Sequence, residues 1–546
     1  MPEQGIAVDP IRRETVMSRS QKLGHCVCNL KQPCPCPELV EQNICHCAGE
    51  RPANKPKNIA LTKHVRKAGC ASKIGQADLL QIIKNLPSVT DPRVLLGAAA
   101  GDDAGVYRLD EHRSLVQTVD VFTPCVDDPY LFGQIAAANS LSDVYAMGGQ
   151  PLTALSIVGF PIDELDGSIM EAMLRGGMDK LAEANCALLG GHSINDPEIK
   201  CGFAVTGLID TERVVARDRA LPGDVLVLTK PLGTGLAAYA AQLGRCEPDA
   251  LTDAGMAMAT LNKDAAELMC RYQAHACTDI TGFGLAGHLV SMARGSGVVA
   301  EVDMTRLPVF GIAAACLREE ILPGAVDRNR AYAMAWMRIT DDGHPENLPI
   351  LFDPQTSGGL LIALPEDRAA QLVADLNARG HKGVAVIGRI RASEDGEGRV
   401  AVTNTQLSNF VGALPSLKTA TTEESHVTDS VEDGTSCCGD LFEEQGTNEA
   451  EVLAVFQDFM KKANEPGRID RRAKKLMAVI LSIAHKCKPC LAIHLKGALA
   501  MGISQAEIDE AANLAIAFGG CTAMVFYKEA VDELAAQRAK NRGGKE

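Results

Sequence analysis

The sequence predicts a multi-domain chain. Its centre is a mixed α/β (α+β) fold, a small cysteine-rich segment precedes it and an all-α domain follows. Three observations predict this. Between about residues 61 and 404, strand-like apolar runs (SLVQTVDVF, ALSIVGF, GFAVTGLI, DVLVLTK, GLLIALP) alternate with alanine-rich helical stretches such as YLFGQIAAANSLSDVYAMGG. Residues 1–60 are polar, rich in Cys and Pro, and lack helical or strand periodicity, so a bound metal is expected to organise them. From about residue 447 the chain reads as helical: LMAVILSIA is a strongly apolar helix segment, and Ser504 and Glu507 form a capping-box pattern. Residues 405–446 are acidic and poor in apolar side chains, and read as a linker carrying Cys437 and Cys438. Within the centre, TERVVARDRALPGD separates two strand runs and places a boundary near 211–221, giving regions 61–210 and 211–404.

Size and charge narrow the function. A chain of 546 residues is too long for one core. Its net charge of −15 argues against nucleic acid and against an anionic membrane surface as partners. No apolar run approaches the ~18 residues of a membrane helix, and the N-terminal stretch shows no apolar signal region. A cytoplasmic protein is expected. In that compartment the nineteen cysteines read first as metal ligands, redox groups or reactive thiols.

The centre carries the ingredients of nucleotide chemistry beside a thiol. Residues 66–73, RKAGCASK, set Cys70 in a glycine-softened segment near Lys67 and Lys73. Nearby cations favour thiolate, the reactive form. Carboxylates recur at strand and loop ends: Asp102 and Asp103 in AAAGDDAGVY, Asp120 closing LVQTVD, Asp143 beyond Asn139, and Asp279 in CTDITGFGLAGH. Carboxylates repel a triphosphate unless they hold a divalent metal that bridges it. Gly190, Gly191, His192 and Ser193 follow the strand-like CALL, where consecutive backbone N–H groups can turn toward a phosphate.

Taken together, AGCASK, GDDAGVY, TVDVFTPCVDDPYLFGQIAAANSLSDVYAMGG, LLGGHSINDPE, FAVTGLI, TKPLGTG, CTDITGFGLAGHL and FDPQTSGGLL resemble the selenophosphate synthetase family over about residues 61–404. The resemblance implies a two-domain fold like aminoimidazole ribonucleotide synthetase, usually dimeric through an intersubunit β-barrel. It implies a reaction of ATP, selenide and water that yields selenophosphate, orthophosphate and AMP. Position by position, Cys70 and Lys73 would be catalytic, and Asp103, Asp143 and Asp279 would bind Mg2+. Lys73, Ala100, Gly101, Asp102, Asp120 and Asp143 would contact the nucleotide. Gly191, His192 and Ser193 would join them, supplied by the neighbouring subunit. Ser72 stands where some relatives carry a second cysteine. On the residues, two rival functions stay open: another ATP-dependent ligase of the same superfamily, and a selenium or metal carrier without catalysis.

Both ends carry thiols. The head holds three C-x-C pairs, Cys26/Cys28, Cys34/Cys36 and Cys45/Cys47. Iron–sulfur clusters and zinc both take four thiolates, and both readings stay open. The run CPC-x8-CHC resembles the catalytic chain of ferredoxin:thioredoxin reductase. That resemblance implies a [4Fe-4S] cluster on Cys26, Cys34, Cys36 and Cys45, a redox disulfide between Cys28 and Cys47 with His46 nearby, and a ferredoxin- or thioredoxin-like electron donor. In the tail, Cys487-x-x-Cys490 with His494 resembles the alkylhydroperoxidase/carboxymuconolactone decarboxylase family over about 447–540. Lys475 occupies the place of the glutamate that peroxidase members carry, and a cation cannot serve as that carboxylate relay. A thiol-redox or selenium-handling role is therefore expected, with an oligomerisation domain as the alternative.

Overall fold

The structure is a computed structural model. It describes residues 10–23, scattered positions between 34 and 60, residues 61–417 apart from 84, 86, 88, 98–101, 341–342 and 416, and residues 470–531 apart from 485–487, 518–522, 525–526 and 529–530. The chain divides into two compact units, Met1–Thr422 and Glu423–Glu546.

In the first unit, residues expected to alternate between strands and helices do so. A mixed six-stranded sheet has the order β1 (Val94–Leu96), β2 (Gly105–Arg108), β3 (Arg113–Phe122), β6 (Lys200–Asp210), β4 (Gln150–Phe160), β5 (Ala187–Asn195). The period of two in β3 and β6 sorts side chains by face. Val116, Phe122, Phe203 and Val205 are buried, whereas Val119 is exposed and Ala204 and Thr206 are half-buried. The buried face is covered by α2 (Pro129–Ala146), which packs on β3 and β6 and against α3 (Gly167–Glu183). Asp128 starts α2 by accepting the Leu131 N–H at 3.0 Å, with Pro129 in the first turn where no N–H is needed. The two helices touch backbone to backbone, because a Cβ at Gly133 would overlap the Met173 carbonyl and one at Gly176 would overlap that of Tyr130. This close packing accompanies a polar stripe, Asn139, Ser140 and Ser142, that is fully buried on α2.

The second half of the unit builds a seven-stranded sheet. Its strands are β7 (Asp224–Leu228), β8 (Ala276–Asp279), β9 (Val298–Asp303), β11 (Met337–Ile339), β12 (Leu360–Pro365), β13 (Ala385–Ala392) and β14 (Arg399–Thr403). Their order in space is β11-β14-β9-β13-β7-β12-β8. β10 (Pro308–Phe310) and β15 (Asn409–Val411) form a separate parallel pair. A helix, α4 (Gly284–Ser296), follows β8 directly and packs against it. One apolar cluster runs across both halves, from Leu61, Cys70 and Phe132 to Cys277, Leu360 and Ile362. Residues at the seam between the halves are therefore held by a continuous core.

Two expectations are corrected. Gly190–Ser193 do not turn away from a strand: they lie inside β5, paired in parallel with β4 as Gly191↔Ser156, His192↔Ile157 and Ser193↔Val158. A strand directs its N–H groups alternately to either side, so no cradle of consecutive N–H groups forms there. In the head, Pro10–Leu23 is helical (α1), where no periodicity had suggested an element. Its Arg, Glu, Met, Gln and Lys residues are good helix formers without an amphipathic stripe.

The second unit has its own apolar cluster, including Val479, Ile483, Leu491, Leu495, Ile508 and Ala512. Helices α5 (Arg471–Ala484) and α6 (Lys488–Ala500) pack against each other. The capping box forms as expected: the Ser504 hydroxyl and backbone N–H both donate to Glu507, at 2.7 and 2.9 Å. Among the described residues, no helix is long and apolar enough to cross a membrane.

Candidate active site

The AGCASK loop is held from both halves of the first unit. Gly69 has φ +57°, and a Cβ there would overlap the Thr356 hydroxyl and meet Cys125 at 3.0 Å, so only glycine fits. Its N–H donates to the carbonyls of Thr123 and Pro124, each at 3.2 Å. Cys70–Ser72 then form a single 3-10 turn. The Cys70 N–H donates to Thr356 Oγ1 at 3.0 Å. Gly282 lies against the turn, where an added Cβ would meet the Cys70 carbonyl and Lys73 Cδ at 3.2 Å.

Lys73 points from this turn to β3. Its Nζ meets Asp120 Oδ2 at 2.6 Å. The same oxygen accepts from Asn139 Nδ2 on α2, and Asn139 Oδ1 accepts the Ser357 N–H at 2.9 Å. Asp143, one turn further along α2, accepts from Thr118 Oγ1 at 2.5 Å. Asp103 Oδ1 accepts from Thr278 Oγ1 on β8 at 2.8 Å. Asp279, next along β8, is 1% exposed. The sequence-predicted Cys70, Lys73, Asp102, Asp103, Asp120, Asp143 and Asp279 thus converge at the seam between the two halves.

The electrostatics of this cluster follow from burial and crowding. Burial, then repulsion by Asp279 and Asp102, raises the Asp103 carboxyl well above the usual range. Burial, then Asp279, Asp120 and Asp103, does the same to Asp143. Asp279 is pushed up by burial to about 6, although Ser142 and Lys73 pull the other way. Burial opposes charge on Lys73, but Asp120, Cys70 and Asp143 more than offset it, and its pKa is raised. One expectation fails. Lys73 does pull Cys70 toward thiolate, but burial outweighs it and Asp120 and Asp279 add to the rise, so the thiol is pushed up to about 11. Lys67 is exposed. In this closed arrangement Cys70 is a thiol.

The carboxylates suit the magnesium that ATP chemistry implies. Asp103 Oδ2 and Asp279 Oδ2 are both buried without a hydrogen-bond partner, and mutual repulsion among Asp103, Asp143 and Asp279 is what a divalent cation relieves. Among the described residues no three His, Cys, Asp or Glu side chains close into a metal site by themselves.

Other sequence-predicted residues stand apart. Asp120, Phe203, Ser156 and Gly191 are register mates across β3, β6, β4 and β5. Three strand spacings of about 4.8 Å therefore put Gly191 roughly 14 Å from Asp120 within one chain. Gly191, His192 and Ser193 are exposed on the edge strand. Ala100, Gly101, Cys26, Cys28, Cys36, His46, Cys47, Cys437, Cys438 and Cys487 lie outside the described residues. Cys34 is half-buried and Cys45 buried. In the second unit Cys490 is disulfide-bonded. His494 is half-buried with Nδ1 lacking a hydrogen-bond partner, and burial and Lys475 together lower its pKa.

Sequence reasoning gave no role to Thr118, Ser142, Thr278, His288 or Thr356. Each is an uncharged group: Thr118, Ser142 and Thr278 bond carboxylates, Thr356 bonds Cys70, and His288 bonds Thr278 and Thr281. Their only signal was membership in the same contiguous blocks as the charged residues.

Residues 101–209 match the AIR synthase related protein, N-terminal domain family, and residues 222–401 match its C-terminal domain family. With the interdomain carboxylate cluster, this defines the class: an ATP-dependent enzyme of the AIR synthase-related fold. Selenide, water dikinase 2 of Peptoclostridium acidaminophilum is 43% identical over 340 residues, covering 62% of this chain and 97% of that protein. The selenide, water dikinase of Geobacter metallireducens is 45% identical over 331 residues, covering 60% and 96%. The chain belongs to the selenide, water dikinase family, phosphotransferases that make selenophosphate from selenide and ATP. Residues 450–533 match the Carboxymuconolactone decarboxylase family. A solved thiamine-monophosphate kinase from Stenotrophomonas maltophilia aligns at 22% identity and TM-score 0.42, over 61% of this chain and 96% of that one.

The thiol chemistry is directly testable. Burial pushes the Cys70 thiol up to about 11, so the reactive thiolate is scarce at pH 8, and its side chain is fully buried. Iodoacetamide at pH 8 is expected to label the exposed Cys270 and to leave Cys70 intact, as read by peptide mass spectrometry. Equal labelling of the two would contradict the closed geometry.

Proposed function

We propose that the seam between the two halves of the first unit is where ATP, selenide and water react to give selenophosphate, orthophosphate and AMP. The observation that carries this is the convergence of Cys70 and Lys73 with buried, mutually repelling aspartates. Asp103, Asp143 and Asp279 would hold magnesium against the triphosphate, and Asp102 and Asp120 would line the nucleotide with Ala100 and Gly101. Magnesium supplies neutralisation of phosphate charge there. Lys73 is tied to Asp120 in the closed site, and its role is to hand that charge to a phosphate oxygen when nucleotide enters. Cys70, on the same turn, would hold selenide beside the phosphate. The buried seam shields an easily oxidised nucleophile from bulk oxidants. Cys70→Ser is expected to reduce selenide-dependent AMP formation to background while the protein stays folded. Full turnover in that variant would refute the role.

The enzyme works as a homodimer in this reading. The face of the first sheet opposite α2 carries exposed Val119 and Leu155, which share a row with Ala204. Leu189 and Ile194 are exposed on neighbouring β5. A second copy covers this face and brings its β5 residues Gly191, His192 and Ser193 to the nucleotide. Val119→Lys with Leu155→Lys is expected to halve the mass seen by light scattering and to cost activity.

The appended segments serve selenium supply in the cytoplasm. The head's cysteines would ligate a [4Fe-4S] cluster that receives electrons from a ferredoxin- or thioredoxin-like donor; a structural zinc, the alternative, would carry none. The tail dithiol Cys487/Cys490, with His494, would deliver reduced selenium. The disulfide at Cys490 supports this reading. Cys487→Ser with Cys490→Ser is expected to leave synthesis from added selenide unchanged but to lower, several-fold, synthesis from selenite plus reductant. Equal output from selenite would exclude the coupling.

A further inference from the structure

Asp103 belongs to the first half of the unit, on the loop before β2, yet its carboxylate is held by the second half. Thr278 Oγ1 on β8 donates to Asp103 Oδ1 at 2.8 Å. A hydroxyl has one proton, so with that proton given to Asp103 the Thr278 oxygen accepts from elsewhere. The neighbour placed to donate is His288 on α4, with Nδ1 at 3.3 Å from Thr278 Oγ1. The other ring nitrogen fixes the tautomer. The Thr281 backbone N–H lies 3.2 Å from His288 Nε2, and a backbone N–H only donates, so Nε2 is the acceptor and the ring proton sits on Nδ1. The chain of donors therefore runs one way: Thr281 N–H to His288 Nε2, His288 Nδ1–H to Thr278 Oγ1, Thr278 O–H to Asp103 Oδ1.

This directionality leaves Asp103 Oδ2 buried and unpartnered. Thr278 immediately precedes Asp279, whose Oδ2 is also buried and unpartnered. One short strand thus carries one carboxylate and fastens the other, across the seam.

We propose that Thr278 and His288 are positioning residues for the metal-held nucleotide: they latch Asp103 onto β8 so that Asp103 and Asp279 present their free oxygens together. The proposal rests on the assignment of those aspartates to magnesium. The ring is 5% exposed and packs against Phe283, with centroids 5.7 Å apart, so its orientation is set by packing and not by ligand.

The test uses the full chain with a non-hydrolysable ATP analogue and Mn2+ as the probe, followed by electron paramagnetic resonance. Partners that orient a metal ligand typically change affinity about 10–100-fold. Thr278→Val and His288→Leu are expected to weaken Mn2+ binding about tenfold or more. Thr278→Ser keeps the hydroxyl and is expected to bind within about twofold of the parent. His288→Asn keeps an N–H donor toward Thr278 and is expected to recover most of the loss of His288→Leu. A folded Thr278→Val, judged by its melting curve, that binds Mn2+ like the parent would overturn the latch. Should His288→Leu not fold, Thr278→Val and Thr278→Ser decide the matter between them. Asp103→Asn separates the two levels: normal Mn2+ affinity in that variant would refute the aspartate's assignment to the metal.

Discussion

Burying several carboxylates at one seam is the constraint on which the rest of the first unit depends. Removing each charge from water costs several kcal/mol unless it is paired or neutralised. Among the described residues Lys73 is already bonded to Asp120, and Arg217 and Lys230 favour the charged forms of Asp102, Asp103 and Asp279 only in part against burial. The fold answers the remainder with hydroxyls and amides. Thr118 donates to Asp143, Thr278 to Asp103 and Asn139 to Asp120. Each stabilises one oxygen, and Asp103 Oδ2 and Asp279 Oδ2 stay without a partner. A site satisfied wholly from within would have no affinity to spare for a nucleotide.

That arrangement explains features far from any reacting atom. The polar stripe Asn139, Ser140 and Ser142 is fully buried, which an ordinary core helix would avoid. Ser140 bonds the Asp120 carbonyl and receives the Phe203 N–H, each at 3.1 Å. Ser142 meets Asn262 at 2.8 Å, and Asn262 also donates to the Gly358 carbonyl at 3.0 Å. α2 is in effect a polar spine joining the two halves. The glycine-mediated approach of α3 presses it onto the sheet.

Much of this was legible in the sequence, for identifiable reasons. Strands β3, β4, β6, β7 and β12 announce themselves as apolar runs, and α2 as an alanine-rich stretch. The charged site residues stand at the ends of those runs, so their convergence could be anticipated. Cys70 shows where reading by composition stops. The lysine beside it is visible in AGCASK, but the burial that outweighs the lysine comes from the packed seam, where Gly282, more than two hundred residues away, lies against Cys70, while the Thr356 hydrogen bond itself favours thiolate. Gly190–Ser193 failed for a related reason. A glycine pair after a strand can turn or continue, and pairing with β4 decides which. The uncharged relay through Thr278 and His288 was invisible because its meaning lies in donor direction.

The buried thiol also dictates how the site must work. Cys70 is fixed on one side by Gly69, whose N–H reaches the Thr123 and Pro124 carbonyls in the first half. On the other side stand Thr356 and Gly282 from the second half. A substrate can reach the sulfur only if the contacts with one half yield. The bonds to the Thr123–Pro124 strand end are backbone to backbone, and the left-handed Gly69 they hold admits no other residue. The contact to Thr356 is a single side-chain hydrogen bond. The weaker side is therefore the second half, which also carries Asp279 and fastens Asp103. Access to the thiol and the spacing of the buried carboxylates are set at the same seam, so a ligand that drew those carboxylates together would act on the contacts that enclose Cys70.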